Sequence, residues 1–374
     1  GNCDFKSEEE KTNNNGVSKA NFQRQYPIGR GGYGKVWKVK SKNDEKHYAM
    51  KEMSKALIIA KKSVTSVLFE RELLSRLRHD FVVNICYAFQ DQEKIYILMD
   101  LSCGGDLRYH LYKNKKFDEK ETKFIIACLI ISLDYIHTNC VIHRDIKPEN
   151  ILFDTNGYIK ITDFGIARTF SPNNQSDTSG TPGYMAPEVI KGQQHGFAAD
   201  YFALGIILHE LMLGRRPFPG IVRKEYKDNI LHMNPSVKPN EVPNNWNPEA
   251  ADLINKLICR KEENRLGKLG SKSVKAHPWF HNINWEDLES HRETAPFIPV
   301  NIEDYFDETY LESFEKNEKL IQDIENATKL LRNPNTQKQF KDYYFDKESQ
   351  TKNQTKASTN PTTVNSLKTV KTGA

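Results

Sequence analysis

Apolar and polar residues alternate over short stretches through the first third of the chain. Val36 and Val39 stand among polar neighbours in 35–40, and 48–53 and 95–99 are further short apolar runs, the two-residue period of β-strands. One stretch breaks this pattern. Val67, Leu68, Leu73, Leu74 and Leu77 form an apolar stripe that predicts a helix over 63–78. Beyond Asp100 the period changes, and 101–280 favours helices, with 124–137 and 201–213 as the clearest. The apolar run 124–133 is interrupted by Cys128 and Ser132 and is too short to span a bilayer, so it predicts a buried core helix. Residues 281–347 mix aromatics with acidic stretches. Within them 308–332 predicts one long helix, with Leu320, Ile324, Ala327 and Leu331 at three-to-four spacing. Such a stripe packs on the chain's own body more often than it binds a partner. The two ends have no apolar period. Residues 1–21 carry Glu8, Glu9 and Glu10 and an Asn run, and predict a flexible arm; 348–374 is a Thr/Asn/Lys tract that predicts disorder.

Composition changes this picture little. The 374 residues are 38% hydrophobic and 28% charged, as in a globular protein of more than one unit. The net charge of +5 is mild and spread along the chain, so no nucleic-acid partner is expected. The cysteines at 3, 86, 103, 128, 140 and 259 form no close pair with metal-ligand spacing, and no secretory leader is evident, so a reducing, cytoplasmic setting is expected.

The candidate chemistry lies in a few motifs. Gly29, Gly31, Gly32 and Gly34, with Arg30, Tyr33, Lys35 and Val36, fit G-x-G-x-x-G-x-V. Here the glycines open a strand, whereas a dinucleotide-binding loop opens a helix. A strand–turn–strand of this kind can fold over a triphosphate, and the glycines let backbone N–H groups approach the phosphates. Ala49 and Lys51 sit on a later strand, where Lys51 can reach α- and β-phosphates. A carboxylate is needed to position it. Glu70 on the 63–78 helix is the preferred partner and Glu72, on another helix face, the rival. The run from His143 to Asn150 matches the phosphotransferase catalytic loop at every defining position. Asp145 would orient or accept the proton of the acceptor hydroxyl, Lys147 would sit on the γ-phosphate and Asn150 would hold a Mg²⁺ ion. Asp163-Phe164-Gly165 follows a short strand, and Asp163 would hold Mg²⁺ bridging the phosphates. Ala186-Pro187-Glu188 closes the segment, with Arg265 as the candidate partner for Glu188.

With these residues in place, the chain resembles the eukaryotic protein kinases over 22–280. Gly180-Thr181-Pro182-Gly183-Tyr184, His277-Pro278-Trp279-Phe280 and Pro296-Phe297-Ile298-Pro299 resemble the AGC group, and the stretches 100–111, Gly214-Arg215-Arg216-Pro217 and Ile283-Asn284-Trp285 are most similar to the YANK kinases. The resemblance implies an α+β, bilobal fold with a small β-rich N-lobe (22–101), a larger helical C-lobe (102–280) and an AGC-type tail (281–347). It implies ATP and Mg²⁺, protein substrates with Ser or Thr acceptors, and a monomer. A lysine two residues after Asp145 is the serine/threonine rather than the tyrosine pattern. Met99 takes the gatekeeper position. Asp106 and Glu149 match acidic positions that meet the ribose or a substrate arginine, which implies a basic substrate context.

The same resemblance bears on regulation. Phe340-Lys341-Asp342-Tyr343-Tyr344-Phe345 resembles the tail's hydrophobic motif, whose aromatics would fill a pocket on the helix bearing Glu70, and Phe306 resembles the tail residue that reaches the adenine. Asp177 stands where AGC kinases carry a phosphorylatable residue. It could pair with Arg144 and spare the enzyme that phosphorylation, or Ser176, Thr178 or Ser179 could be the phosphosite. Gly1 and Cys3 are acylation candidates for peripheral membrane attachment, although Phe5 stands where Ser or Thr is preferred and Gly1 could instead be an added residue. Two other function classes are weaker. A catalytically dead scaffold would need a broken Lys51, Asp145 or Asp163, and an oxidoreductase would need a βαβ unit.

Overall fold

The computed structural model describes residues 16–171, 178–300 and 318–347. The N-terminal lobe runs β1 (Phe22–Gly31), β2 (Gly34–Ser41), β3 (His47–Ser54), α1 (Lys55–Ala60), α2 (Val64–Arg76), β4 (Ile85–Gln90) and β5 (Lys94–Asp100). The C-terminal lobe follows with α3 (Leu107–Asn114), α4 (Glu119–Thr138), β6 (Val141–Ile142), β7 (Ile151–Phe153), β8 (Ile159–Ile161) and β9 (Arg168–Thr169). It continues with α5 (Pro187–Ile190), α6 (Ala198–Leu213), α7 (Arg223–His232), α8 (Glu249–Leu257), α9 (Ser271–Lys275) and α10 (Trp285–Glu289). The described tail adds α11 (Glu318–Leu330), α12 (Pro334–Lys338) and β10 (Phe345–Asp346). The fold is α+β, a sheet lobe followed by a helical lobe.

The sheet is antiparallel with the order β1-β2-β3-β5-β4-β10. Strand alternation gives it two apolar faces. Tyr48, Met50, Tyr96 and Leu98 pack with Phe22 and Val39 on one; Met53, Ile95, Ile97 and Met99 join Val67, Leu73 and Leu74 of α2 on the other. Lys51 falls on the α2 face with Ala49, because residues two apart share a face. Val36 is directly opposite Lys51, and Met99 directly opposite Ala49.

Two helices, not one, interrupt the strands. The sequence reading passed over α1 because it follows β3 without a break and is six residues long. Ser54 starts it by accepting the Leu57 N–H at 3.3 Å. Residues 16–21 are not all a free arm either: Lys19–Asn21 form a short 3₁₀ turn, and Val17 packs against the outer face of the sheet.

In the C-lobe, α4 begins with a reciprocal capping box between Asp118 and Glu121 and is buried along most of its length. Helix α6 is buried almost throughout and stops at Gly214, whose φ of 70° only glycine adopts cheaply. The tail returns to the N-lobe. Ala327 and Leu331 of that region pack on Ala56 of α1, the self-packing favoured from the stripe. Phe340 and Tyr343 are fully buried in the core that includes α2, and Phe345 extends the sheet beside β4; Tyr344, next to Tyr343 in the motif, is half-exposed and is not buried with them. Lys55, itself buried, donates to the carbonyl of Asp91 at 2.6 Å and to Gln337 Oε1 at 2.7 Å. Burial pushes its pKa down to about 8, against the opposing pull of Asp91. The long helix expected over 308–332 is described only as Glu318–Leu330.

Candidate active site

The turn between β1 and β2 is tight: Gly31 pairs with Gly34, leaving Gly32 and Tyr33 at its tip. A Cβ on Gly34 would lie 1.9 Å from the Glu52 carbonyl oxygen, so this glycine is required by close packing on β3. A Cβ on Gly31 would instead meet Lys51 Cε at 3.6 Å, and one on Gly29 would meet Val36 at 3.6 Å, both ordinary contacts. The loop therefore lies directly over the Lys51 side chain. Its tip is tied back by Lys61, which donates to the Gly32 carbonyl at 2.8 Å and sits over the Tyr33 ring.

Lys51 donates to Glu70 Oε1 at 2.6 Å and reaches Asp163 Oδ1 at 3.4 Å. Glu70, on the inner face of α2, is buried; Glu72 is half-exposed and pairs with Arg76 one turn on. Burial alone would lower the Lys51 pKa, but the carboxylates of Glu70 and Asp163 outweigh it and hold the ammonium above its ordinary range. Burial raises Glu70, and Lys51 opposes that rise. Asp163 is held below 3.8, chiefly by the Lys51 charge and against burial. The lysine thus stays charged and Asp163 stays an anion.

The catalytic-loop residues come together from two hairpin arms. Strands β7 and β8 pair, and the Thr162 N–H donates to the Asn150 carbonyl at 3.0 Å, which places Asn150 beside the segment entering Asp163. Asp145 accepts from Lys147 Nζ at 2.7 Å, from Asn150 Nδ2 at 3.1 Å and from the Thr181 hydroxyl at 2.6 Å. Lys147 also donates to Thr181 Oγ1 at 2.8 Å. Arg144 and Asp163 hold φ values of 67° and 64°, left-handed backbone that costs a non-glycine residue about 1–3 kcal/mol.

Asp200 holds the strained backbone at Arg144, and no motif in the sequence marks it. It lies inside α6, fully buried, and accepts the backbone N–H of His143 at 2.9 Å and of Arg144 at 2.8 Å, and His137 Nε2 at 2.8 Å. Burial works against its charge, but these donors hold its pKa below 3.8. An acid within the apolar 198–213 run was the available signal. His143 packs on Phe164 at 4.8 Å between ring centres, which ties the loop to Asp163-Phe164-Gly165. Arg265 and Glu188 form a buried two-pronged pair at 2.6 and 2.9 Å, as their motif suggested.

The remaining candidates are placed as follows. Asp106 caps α3, accepting the Tyr109 N–H at 2.9 Å, and bridges to Leu152 of β7. Glu149 accepts from Arg108 Nε at 2.8 Å, so its carboxylate is engaged within the chain. Arg144 donates from Nε to the Ile166 carbonyl at 2.8 Å. Gly1, Cys3, Asp177, Ser176 and Phe306 lie outside the described residues.

Asp163 Oδ and the oxygen of Asn150 are hard donors suited to Mg²⁺. The Asn150 amide nitrogen donates to the Asp145 carbonyl at 2.9 Å and to its carboxylate, which leaves the amide oxygen as the group to offer a cation. The donor set therefore fits that ion.

The chain is similar in sequence to known proteins. The protein kinase domain family matches residues 22–280. The chain is 38% identical over 288 residues to a probable serine/threonine-protein kinase of Dictyostelium discoideum, covering 76% of this chain and 62% of the relative. It is 37% identical over 301 residues to the cAMP-dependent protein kinase catalytic subunit of that organism, covering 79% of this chain and 45% of the relative. Over 339 residues it is 34% identical to the RAC family serine/threonine-protein kinase homolog, also from Dictyostelium discoideum, covering 89% and 74%. The chain thus spans about three fifths of the length of the first relative and less than half of the second.

Proposed function

The chain belongs to the protein kinase family, with relatives of the AGC type, and from that membership we propose that it transfers the γ-phosphate of ATP to Ser or Thr hydroxyls of protein substrates. The observation that carries this reading is the pairing of Lys51 with Glu70 and Asp163 on one side of the cleft and of Lys147 with Asp145 on the other. Lys51, fixed by Glu70, neutralises and orients the non-transferred phosphates. Asp145 takes the hydrogen bond of the acceptor hydroxyl, aims its oxygen at the γ-phosphorus and receives its proton. The bond from that phosphorus to the β–γ bridging oxygen breaks, and ADP leaves. Lys147 offsets charge on the transferred group, and Thr181 holds Asp145 and Lys147 in register. Asp163 and Asn150 would hold Mg²⁺, which when bound screens the phosphate charge. Positioning and charge neutralisation of this kind supply most of the rate in phosphoryl transfer.

The finer placement we propose is with the YANK kinases, on the stretches 100–111 and 283–285. A basic substrate context would rest on Asp106 and Glu149, and both carboxylates are engaged inside the chain. Peripheral membrane attachment through Gly1 and Cys3 is a separate proposal. An acyl mass increment on natively expressed protein supports it, and an unmodified Gly1 overturns it.

The phosphotransfer reading is tested with labelled ATP–Mg²⁺ and matched peptides that differ only in carrying Ser, Thr or Tyr. Label in the Ser and Thr peptides supports it. Label confined to Tyr overturns the acceptor assignment, and no label at all overturns the activity.

A further inference from the structure

Beside the catalytic loop, four polar side chains converge from four segments. Arg108, near the start of α3, donates from Nε to Glu149 Oε1 at 2.8 Å, from Nη1 to Glu210 Oε1 at 2.7 Å and from Nη2 to Glu210 Oε2 at 3.3 Å. Its Nη2 also donates to the Tyr184 hydroxyl, which in turn donates to Glu210 Oε2 at 2.6 Å. Tyr184 and Glu210 are buried, whereas Arg108 and Glu149 keep part of their side chains in solvent, so the cluster opens on the surface through those two.

The cluster adjoins the catalytic carboxylate. Glu149 belongs to the loop that carries Asp145. Tyr184 lies shortly after Thr181, whose N–H and hydroxyl both donate to Asp145, at 3.1 and 2.6 Å. A peptide whose hydroxyl reaches Asp145 must lay its neighbouring residues along these two segments. Two carboxylates side by side there, one of them buried, would draw a substrate cation strongly.

Arg108 already meets both. A cation in the first turn of a helix faces the positive end of the helix dipole. Its place on α3 is therefore unfavourable locally and is held by the two acids. Its planar fork uses the same bonds that a substrate guanidinium would use. We propose that Arg108 is a resident substitute for a substrate arginine, so that this enzyme does not select a basic residue at the position its acidic cluster would otherwise read. Resting on the phosphotransfer reading above, this assigns Arg108 as a specificity determinant and substrates that are neutral at that position.

The test is a positional peptide scan around a fixed Ser, comparing arginine with alanine at each of the flanking positions, on wild type, R108A, R108Q and R108A/E149Q. Each protein is first checked for an ATP–Mg²⁺-dependent rise in unfolding temperature. Wild type is expected to favour arginine less than about threefold at every position. R108A and R108Q should each gain roughly ten- to a hundredfold in kcat/KM for arginine over alanine at one position, the scale of a charge-assisted hydrogen bond. Adding E149Q should remove most of that gain. R108Q keeps a neutral hydrogen-bonding group against Glu210 and serves if R108A does not fold. Strong arginine selection by wild type, or an R108Q profile equal to wild type, overturns the proposal. Wild type that labels no peptide despite binding ATP instead overturns the phosphotransfer reading on which it rests.

Discussion

Asp200 and Glu70 are buried carboxylates whose charge does different work. Asp200 fixes the backbone of His143 and Arg144 and is held below 3.8 by its donors against burial. A group whose folded pKa is depressed adds stability above its unfolded pKa, and loses it as pH falls through the folded value. Asp200→Asn should therefore destabilise the protein by about 3–5 kcal/mol near neutral pH. The gap to wild type should narrow as pH falls below 3.8. Unfolding curves from pH 6 to pH 3 check this, and a constant gap would refute it. Glu70 and Glu72 allow a simpler comparison. Glu70→Gln should cut transfer about a hundredfold by loosening Lys51, while Glu72→Gln, whose side chain pairs with Arg76 on the surface, should change it little. At this scale the motif residues were legible because phosphate chemistry dictates their type and order. Asp200 and Arg108 were not, because each works through partners distant in sequence: Asp200 through backbone amides of the loop, and Arg108 through Glu210 and Tyr184.

Helix α2 matters because one of its faces carries Glu70 and another receives the tail. Phe340 and Tyr343 are fully buried in the core with Val67, Leu73 and Leu74, and Gln90 Nε2 donates to the Phe340 carbonyl at 2.6 Å. Phe340→Ala should cost about 3–5 kcal/mol in tail docking through the cavity it leaves. Faster amide exchange over 67–74 and weaker transfer with the fold intact are the expected outcome, measured by hydrogen exchange beside a kinetic assay. Unchanged exchange in α2 would separate the tail from Glu70. The stripe of Ile324, Ala327 and Leu331 announced that the 318–331 region packs on something, but its partner α1 was hidden. Six residues give too few turns for a periodic signal, and only the Ser54 cap marks its start. Periodicity located the middles of α4 and α6 better than their ends, because capping residues such as Asp118 set those ends and carry no apolar signal.

For the whole molecule, the change from strand period to helix period near Asp100 was enough to divide sheet lobe from helical lobe. What it could not show is how the lobes share one cleft. That depends on Lys51 of β3 meeting Asp163 beyond β8. No helix among the described residues is long and apolar enough to cross a membrane. The central claim is phosphoryl transfer across this cleft. It is tested most directly by phosphate transfer from labelled ATP–Mg²⁺ to a Ser/Thr peptide pool, with wild type beside Asp163→Asn. The expected result is transfer by wild type and a loss of at least about a hundredfold in the variant, with its fold retained. Equal transfer by the two proteins, or none by a wild type that binds ATP, would contradict it.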